Sequence, residues 1–222
     1  FKLDGRPLTE ARSPGQRMVG MCRDNALLLV SFLRHKKIPA RVRAGFAGYF
    51  DSVIMFEDHW VAEYYDAGQN RWIRMDAQVD EVQKKHYRLE FDTLDMDAGA
   101  AYFLAGDAWK KSRLGERHPE DFGYNKNWKG WHSLKGNLLH DFNCLRGFEL
   151  MPWDLWTELS TKKFSELTKD ERELLDEMAE LTANPGVSSD QFMDLACRLP
   201  EEYAQSIRSK LIVLGIVGTS QM

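Results

Sequence analysis

The sequence predicts an α+β fold, with one early helix packed on an antiparallel sheet and helical segments behind it. Three observations carry this. Apolar residues from Cys22 to Lys37 recur at helical spacing, and Arg41 to Ala77 alternates with period two around a turn-forming break. No parallel strand–helix–strand alternation follows.

Residues 1–20 are polar and interrupted by Pro7, Pro14 and Gly15, which reads as a loop-rich lead-in. Cys22, Ala26, Leu29, Val30 and Leu33 then mark a helix face. Leu27, Leu28 and Phe32 widen the apolar stripe nearly all round, the pattern of a buried helix. Arg34, His35, Lys36 and Lys37 suit the negative end of its dipole, and Pro39 closes it. Arg41 to Phe50 alternates as a strand. His59 to Tyr65 and Arg71 to Ala77 follow as two more, joined by Asp66-Ala67-Gly68-Gln69-Asn70, which is hairpin-turn chemistry.

From Ala98 onward the signals are helical and irregular. Thr168-Lys169-Asp170-Glu171 is a capping box for a helix running to Leu181. Asn184-Pro185-Gly186 is a break, Ser188 to Gln191 opens another helix, and Pro200 starts a third. The aromatic residues clustered between Tyr102 and Trp156 are read as core, because aromatics dominate interiors by area.

A formal net charge of −4, with no basic patch interleaved by aromatics, speaks against nucleic-acid binding. The longest apolar run, Leu211 to Val217, is far short of a membrane span. Cys22, Cys144 and Cys197 are sparse, odd in number and without CxxC spacing. That argues against a disulfide scaffold or a zinc site and fits a reducing, cytoplasmic compartment. The chain begins at Phe1 and not at Met, so an N-terminal segment, with any targeting signal, is expected to have preceded it; secretion stays open.

Cys22 lies at the start of the first helix, behind Gly20. A helix N-terminus carries roughly +0.5 charge and favours a thiolate over a thiol. A lone cysteine is more often inert core, but this one has company. A turn centred between Ala67 and Gly68 puts His59 directly opposite Asp76, and opposed residues share a face with Cβ atoms about 5 Å apart. A slip of one residue would separate them. Cysteine on a helix start, histidine on a strand and aspartate beside it are the parts of a nucleophile, a base and its orienter. Trp60 should point to the opposite face, into the core.

Several segments in order resemble the transglutaminase-like superfamily. They are Gly20-Met21-Cys22-Arg23-Asp24, Ile38-Pro39-Ala40-Arg41-Val42, Asp58-His59-Trp60-Val61-Ala62-Glu63 and Arg71-Trp72-Ile73-Arg74-Met75-Asp76. Later pieces, among them Gly106-Asp107-Ala108-Trp109 and Leu150-Met151-Pro152-Trp153-Asp154, look like a bacterial branch. The resemblance implies a papain-like core with Cys22 as nucleophile, His59 as general base and acid, and Asp76 as orienter. Ala77-Gln78 stands where the family often has a proline, which should alter local backbone and not the chemistry. Gln16 precedes Cys22 at the spacing of the papain-like oxyanion glutamine; it is either that donor or an exposed loop residue.

His35, His86, His118, His132 and His140 have no metal-ligand spacing and are read as surface residues. Asp92, Asp95 and Asp97, with Asp51 and Asp58, lack the glycine and terminal glutamate of a calcium loop. No metal or cofactor is expected. The resulting expectation is a catalytic domain over residues 1–160 and a helical extension over 161–222. The chemistry is acyl transfer through a Cys22 thioester on a small peptide-like or amide substrate, by hydrolysis or amide formation, with natural-product assembly a possibility on resemblance. The competing reading is a non-catalytic interaction module carrying a vestigial triad.

Overall fold

The computed structural model describes residues 5–7, 9–17, 19–50, 52–96, 101–154, 157–184 and 189–198. Asp51, Asp97, Trp156, Pro185, Gly186, Pro200 and the run from Leu211 to Val217 lie outside them. The elements in order are α1 (Cys22–His35), β1 (Ala40–Ala47), β2 (Phe56–Asp66), β3 (Arg71–Met75), α2 (Glu81–Tyr87), β4 (Tyr102–Leu104), α3 (Ala105–Arg113), β5 (Phe122–Asn125), β6 (Trp128–Lys129), α4 (Trp131–Leu145), α5 (Glu158–Thr161), α6 (Lys169–Ala183) and α7 (Ser189–Arg198).

The strands form one sheet in the order β4-β1-β2-β5-β6, with β3 also paired to β2. It is a mixed α+β arrangement, but the expected purely antiparallel sheet is corrected at one place: β2 and β5 run parallel, joined at Phe56–Phe122 and Glu57–Gly123. The three extra strands, four residues or shorter, are too brief to show alternation in sequence. On the edge of β2 away from β1, β3 pairs from Ala62 onward and β5 only at Phe56 and Glu57. Residues 58–61 therefore occupy a notch between them, and His59 lies in it.

Alternation does set the packing. Val42, Ala44, Trp60 and Ala62 form one cluster with Ala26 and Val30 of α1, so Trp60 is core, 1% exposed. α1 is not buried all round: Leu28 and Phe32 stand about half exposed on its outer side. A second cluster joins Phe46 and Phe56 of the sheet to Trp109, Leu138, Leu175, Met178 and Leu195. α6 and α7 thus share a core with the sheet, and the expected division at 160/161 does not separate two cores. The α6 start is as expected: Thr168 Oγ1 accepts the Glu171 N–H at 3.2 Å, and the Glu171 carboxylate accepts the Thr168 N–H at 2.8 Å.

The aromatic expectation holds for Trp109, Phe122 and Phe142, which are buried, and fails for Tyr124, Trp128 and Trp153, which are exposed. Among the other histidines His140 is a correction: it is buried on α4, and its Nε2 contacts the Pro152 carbonyl at 3.0 Å. Among the described residues no helix is long and apolar enough to cross a membrane.

Candidate active site

The β2–β3 hairpin positions His59 and Asp76, though not in the expected register. Ala62 pairs with Met75 where a turn centred between Ala67 and Gly68 would pair it with Ile73, and Asp66 pairs with Arg71. The four residues 67–70 make the turn, with Asp66 Oδ1 accepting the Gly68 N–H at 2.8 Å and Asn70 at φ 52°. The offset is two residues, and a two-residue offset preserves the face. His59 and Asp76 become diagonal neighbours, and His59 Nε2 meets Asp76 Oδ2 at 2.8 Å, both side chains 3% exposed or less.

Asp76 follows β3 directly and is tied down from several sides. Its N–H donates to the Thr93 carbonyl at 2.9 Å, its Oδ1 accepts the Gln78 N–H at 2.9 Å, and its Oδ2 also accepts the Tyr49 hydroxyl at 2.7 Å. Ala77-Gln78, the departure from the family pattern, therefore forms an Asx turn that orients the carboxylate. Burial alone would raise the Asp76 pKa. The charge and hydrogen bond of His59, aided by Tyr49 and Gln78, override burial and hold the carboxyl below the usual carboxylate range.

His59 sits at the fourth position of β2 opposite Gly45 of β1. A Cβ on Gly45 would lie 2.3 Å from the Phe103 carbonyl and 2.5 Å from the Tyr102 hydroxyl. The glycine thus admits Tyr102, whose hydroxyl donates to the His59 carbonyl at 3.0 Å. Phe50 packs edge-on against the imidazole, ring centroids 4.9 Å apart. Burial would lower the His59 pKa, but the hydrogen bond and charge of Asp76, followed by those of Cys22, raise it to about 10. With Nε2 on Asp76, Nδ1 is the ring nitrogen left for Cys22.

Cys22 opens α1 and is partly exposed. The helix start is fixed from two directions. Asp24 Oδ2 accepts the Met21 N–H at 3.1 Å, and Arg23 reaches across to the Glu149 and Leu150 carbonyls, the latter at 3.0 Å. The Cys22 and Arg23 N–H groups of the first turn have no carbonyl one turn back, whereas the Asp24 N–H donates to the Met21 carbonyl at 3.0 Å. Cys144 is buried, where burial pushes its thiol up, and Cys197 is exposed.

Gln16 is not brought to this cluster. It is exposed, at the end of a short 3-10 turn, and its Oε1 accepts the Ser13 N–H at 3.3 Å and the Ser13 hydroxyl at 3.1 Å. Tyr49 and Arg23, by contrast, belong to the site and were not expected. Arg23 carries a readable signal only in that it sits beside the cysteine. Tyr49 carries none, because its position depends on the chain reversal after β1. Of the acidic residues, Asp95 is paired with Arg71 and Asp92 Oδ1 accepts the Leu94 N–H at 2.8 Å. Among the described residues no group of three or more His, Cys, Asp or Glu could hold a metal ion.

Residues 7–77 match the family model of the Transglutaminase-like superfamily. No curated protein and no solved structure matches the chain. The segment that holds Cys22, His59 and Asp76 is therefore the part of the chain that is similar to the Transglutaminase-like superfamily.

Proposed function

We propose that the protein is a thiol acyltransferase or amidohydrolase in which Cys22 is the nucleophile, His59 the acid and base, and Asp76 the orienter. The observation that carries this reading is the buried His59–Asp76 hydrogen bond of 2.8 Å, on an imidazole that also faces Cys22 at the head of α1. The Cys22 sulfur attacks the carbonyl carbon of an amide or ester. The resulting oxyanion is met by the backbone N–H of Cys22 at the head of α1. The carbon–leaving-group bond breaks, and the Nδ1 proton of His59 passes to the departing nitrogen or oxygen. Water or an amine then attacks the thioester carbon, gives its proton to Nδ1, and the carbon–sulfur bond breaks. A small peptide-like acyl donor is proposed, with hydrolysis and amide formation differing only in the second nucleophile; a role in natural-product assembly rests on the resemblance.

The test is brief iodoacetamide labelling of the folded protein at pH 6 with mass mapping, followed by capture of an acyl-enzyme from a small activated ester. Cys22 should label well ahead of the exposed Cys197 and should carry a hydroxylamine-labile acyl group. Cys22 labelling no faster than Cys197, with no acyl group on it, would return the chain to the non-catalytic reading.

A further inference from the structure

Asp76 Oδ2 accepts two hydrogen bonds, from the Tyr49 hydroxyl at 2.7 Å and from His59 Nε2 at 2.8 Å. Orienting an imidazole requires only the second. The first is nevertheless built with care. Gly48 donates to the Ala101 carbonyl at 2.6 Å, and a Cβ on it would meet the Phe56 ring at 2.8 Å, so the backbone just before Tyr49 is fixed. The Tyr49 ring is held between Phe50, at a centroid distance of 4.7 Å, and Phe91, at 5.0 Å, and stands edge-on to His59 at 6.0 Å.

A donor on a carboxylate stabilises its charge and lowers its basicity. Shared with the oxygen that holds the ring, it weakens the carboxylate's hold on the imidazolium. We propose that Tyr49 is a positioning residue that fixes the Asp76 carboxylate and tempers it, so that His59 releases its proton to the leaving group. This deepens the thiol reading above and rests on it.

Other groups also act on the ring. Cys22 faces it from α1 and Asp76 from beyond β3; Asp58 precedes it on β2, and Tyr102 of β4 binds its carbonyl, with Arg74 of β3 acting on Tyr102. Among the described residues only Tyr49 joins His59 on Oδ2. Burial and the Asp76 charge push the Tyr49 phenol far above its ordinary 10, so it remains a donor throughout.

Two substitutions separate tempering from mere packing. Tyr49→Phe keeps the ring and removes the hydroxyl; replacement by a ring-fluorinated tyrosine keeps the hydroxyl and strengthens it as a donor. The His59 titration is followed by NMR, its signal assigned by loss in His59→Ala, alongside the pH profile of Cys22 alkylation. In Tyr49→Phe the His59 titration and the alkaline limb of alkylation should move up by roughly half to one unit. The fluorinated form should move both down. Turnover in Tyr49→Phe should fall about three- to tenfold with KM unchanged. If neither form shifts the titration while Cys22 still labels ahead of Cys197, the tempering role is overturned and the thiol reading stands. If Cys22 has no labelling preference in the unsubstituted protein, both fall.

Discussion

Two buried ionic clusters share the β1–β2 ladder and differ in what they leave free. In one, Arg43 of β1 is 1% exposed and bidentate to Asp141 of α4, at 2.9 and 2.8 Å; it also bonds Glu63 of β2 at 3.1 Å and the Thr182 carbonyl of α6. Asp141 Oδ1 further accepts the Ala44 N–H at 2.9 Å. Burial opposes the Arg43 charge, but Asp141 and Glu63 more than restore it, and Glu63 is held low in turn by its two arginines. In the other, by strand alternation on the same face and roughly 13 Å along β2, His59 spends one nitrogen on Asp76 and keeps the other for a sulfur. A cation that cannot titrate locks helices to a sheet. A cation that can titrate, with one ring nitrogen uncommitted, is equipped to move a proton.

Substitutions should break the two clusters in different currencies. Cys22→Ala is expected to remove all turnover and any acyl-enzyme while leaving the unfolding midpoint within about 0.5 kcal/mol of wild type, checked by mass spectrometry and denaturant titration. Turnover surviving in that variant would end the enzymatic reading. Asp76→Asn should fold and lose less, below the ~10⁴ seen for the same change in the serine-protease template, because a sulfur nucleophile leans less on an oriented base than a serine hydroxyl does.

Its stability signature follows from the pKa directions. His59, raised from 6.5 to about 10, contributes stability that is full below 6.5 and lost as pH rises through 10. Asp76, lowered from 3.8, contributes stability present above 3.8 and lost as pH falls through its folded value. The gap in unfolding midpoint between wild type and Asp76→Asn should therefore be widest between pH 4 and 6.5 and close toward pH 10 and in strong acid. A gap that is flat with pH would mean the pair is not ionic.

Arg43→Met tests the other cluster. It leaves Asp141 and Glu63 buried without their cation and should cost about 3–5 kcal/mol in denaturant titration. Turnover per folded molecule should stay near wild type; a selective loss of turnover would couple the two clusters. The smallest effect is expected at Gln16→Ala. Exposed and engaged with Ser13, Gln16 should change turnover by no more than about twofold. A loss of 10² or more would restore it as the oxyanion donor.

The part of the molecule most legible in sequence was α1 through β3, where periodicities of three-to-four and two are long enough to read. His59 and Asp76 could be brought to one face because the face depends only on parity, although the register was off by two. The start of β2 at Phe56 is hidden in the sequence, which marks the strand only from His59, because Glu57 and Asp58 interrupt the alternation. α2 escaped notice because its signal is a polar capping box, Asp80 with Gln83, and not an apolar stripe. Arg41-Val42-Arg43 reads only as part of an alternating strand. Arg43 is buried because Asp141, 98 residues further on, arrives to meet it, and nothing local announces that. Tyr49 is illegible for the same reason.

The hairpin also says where this chain can change length. The turn 67–70 lies beyond the Asp66–Arg71 pair, five residues or roughly 17 Å of strand from Asp76. Residues added within the turn leave every pair of the ladder as it was. A single residue added between Trp60 and Tyr65 on β2, or between Arg71 and Met75 on β3, reverses the side on which His59 or Asp76 emerges. An epitope or reporter peptide can therefore be carried at Gly68, whereas a one-residue insertion a few positions away should silence the protein by turning buried and site residues to the wrong face.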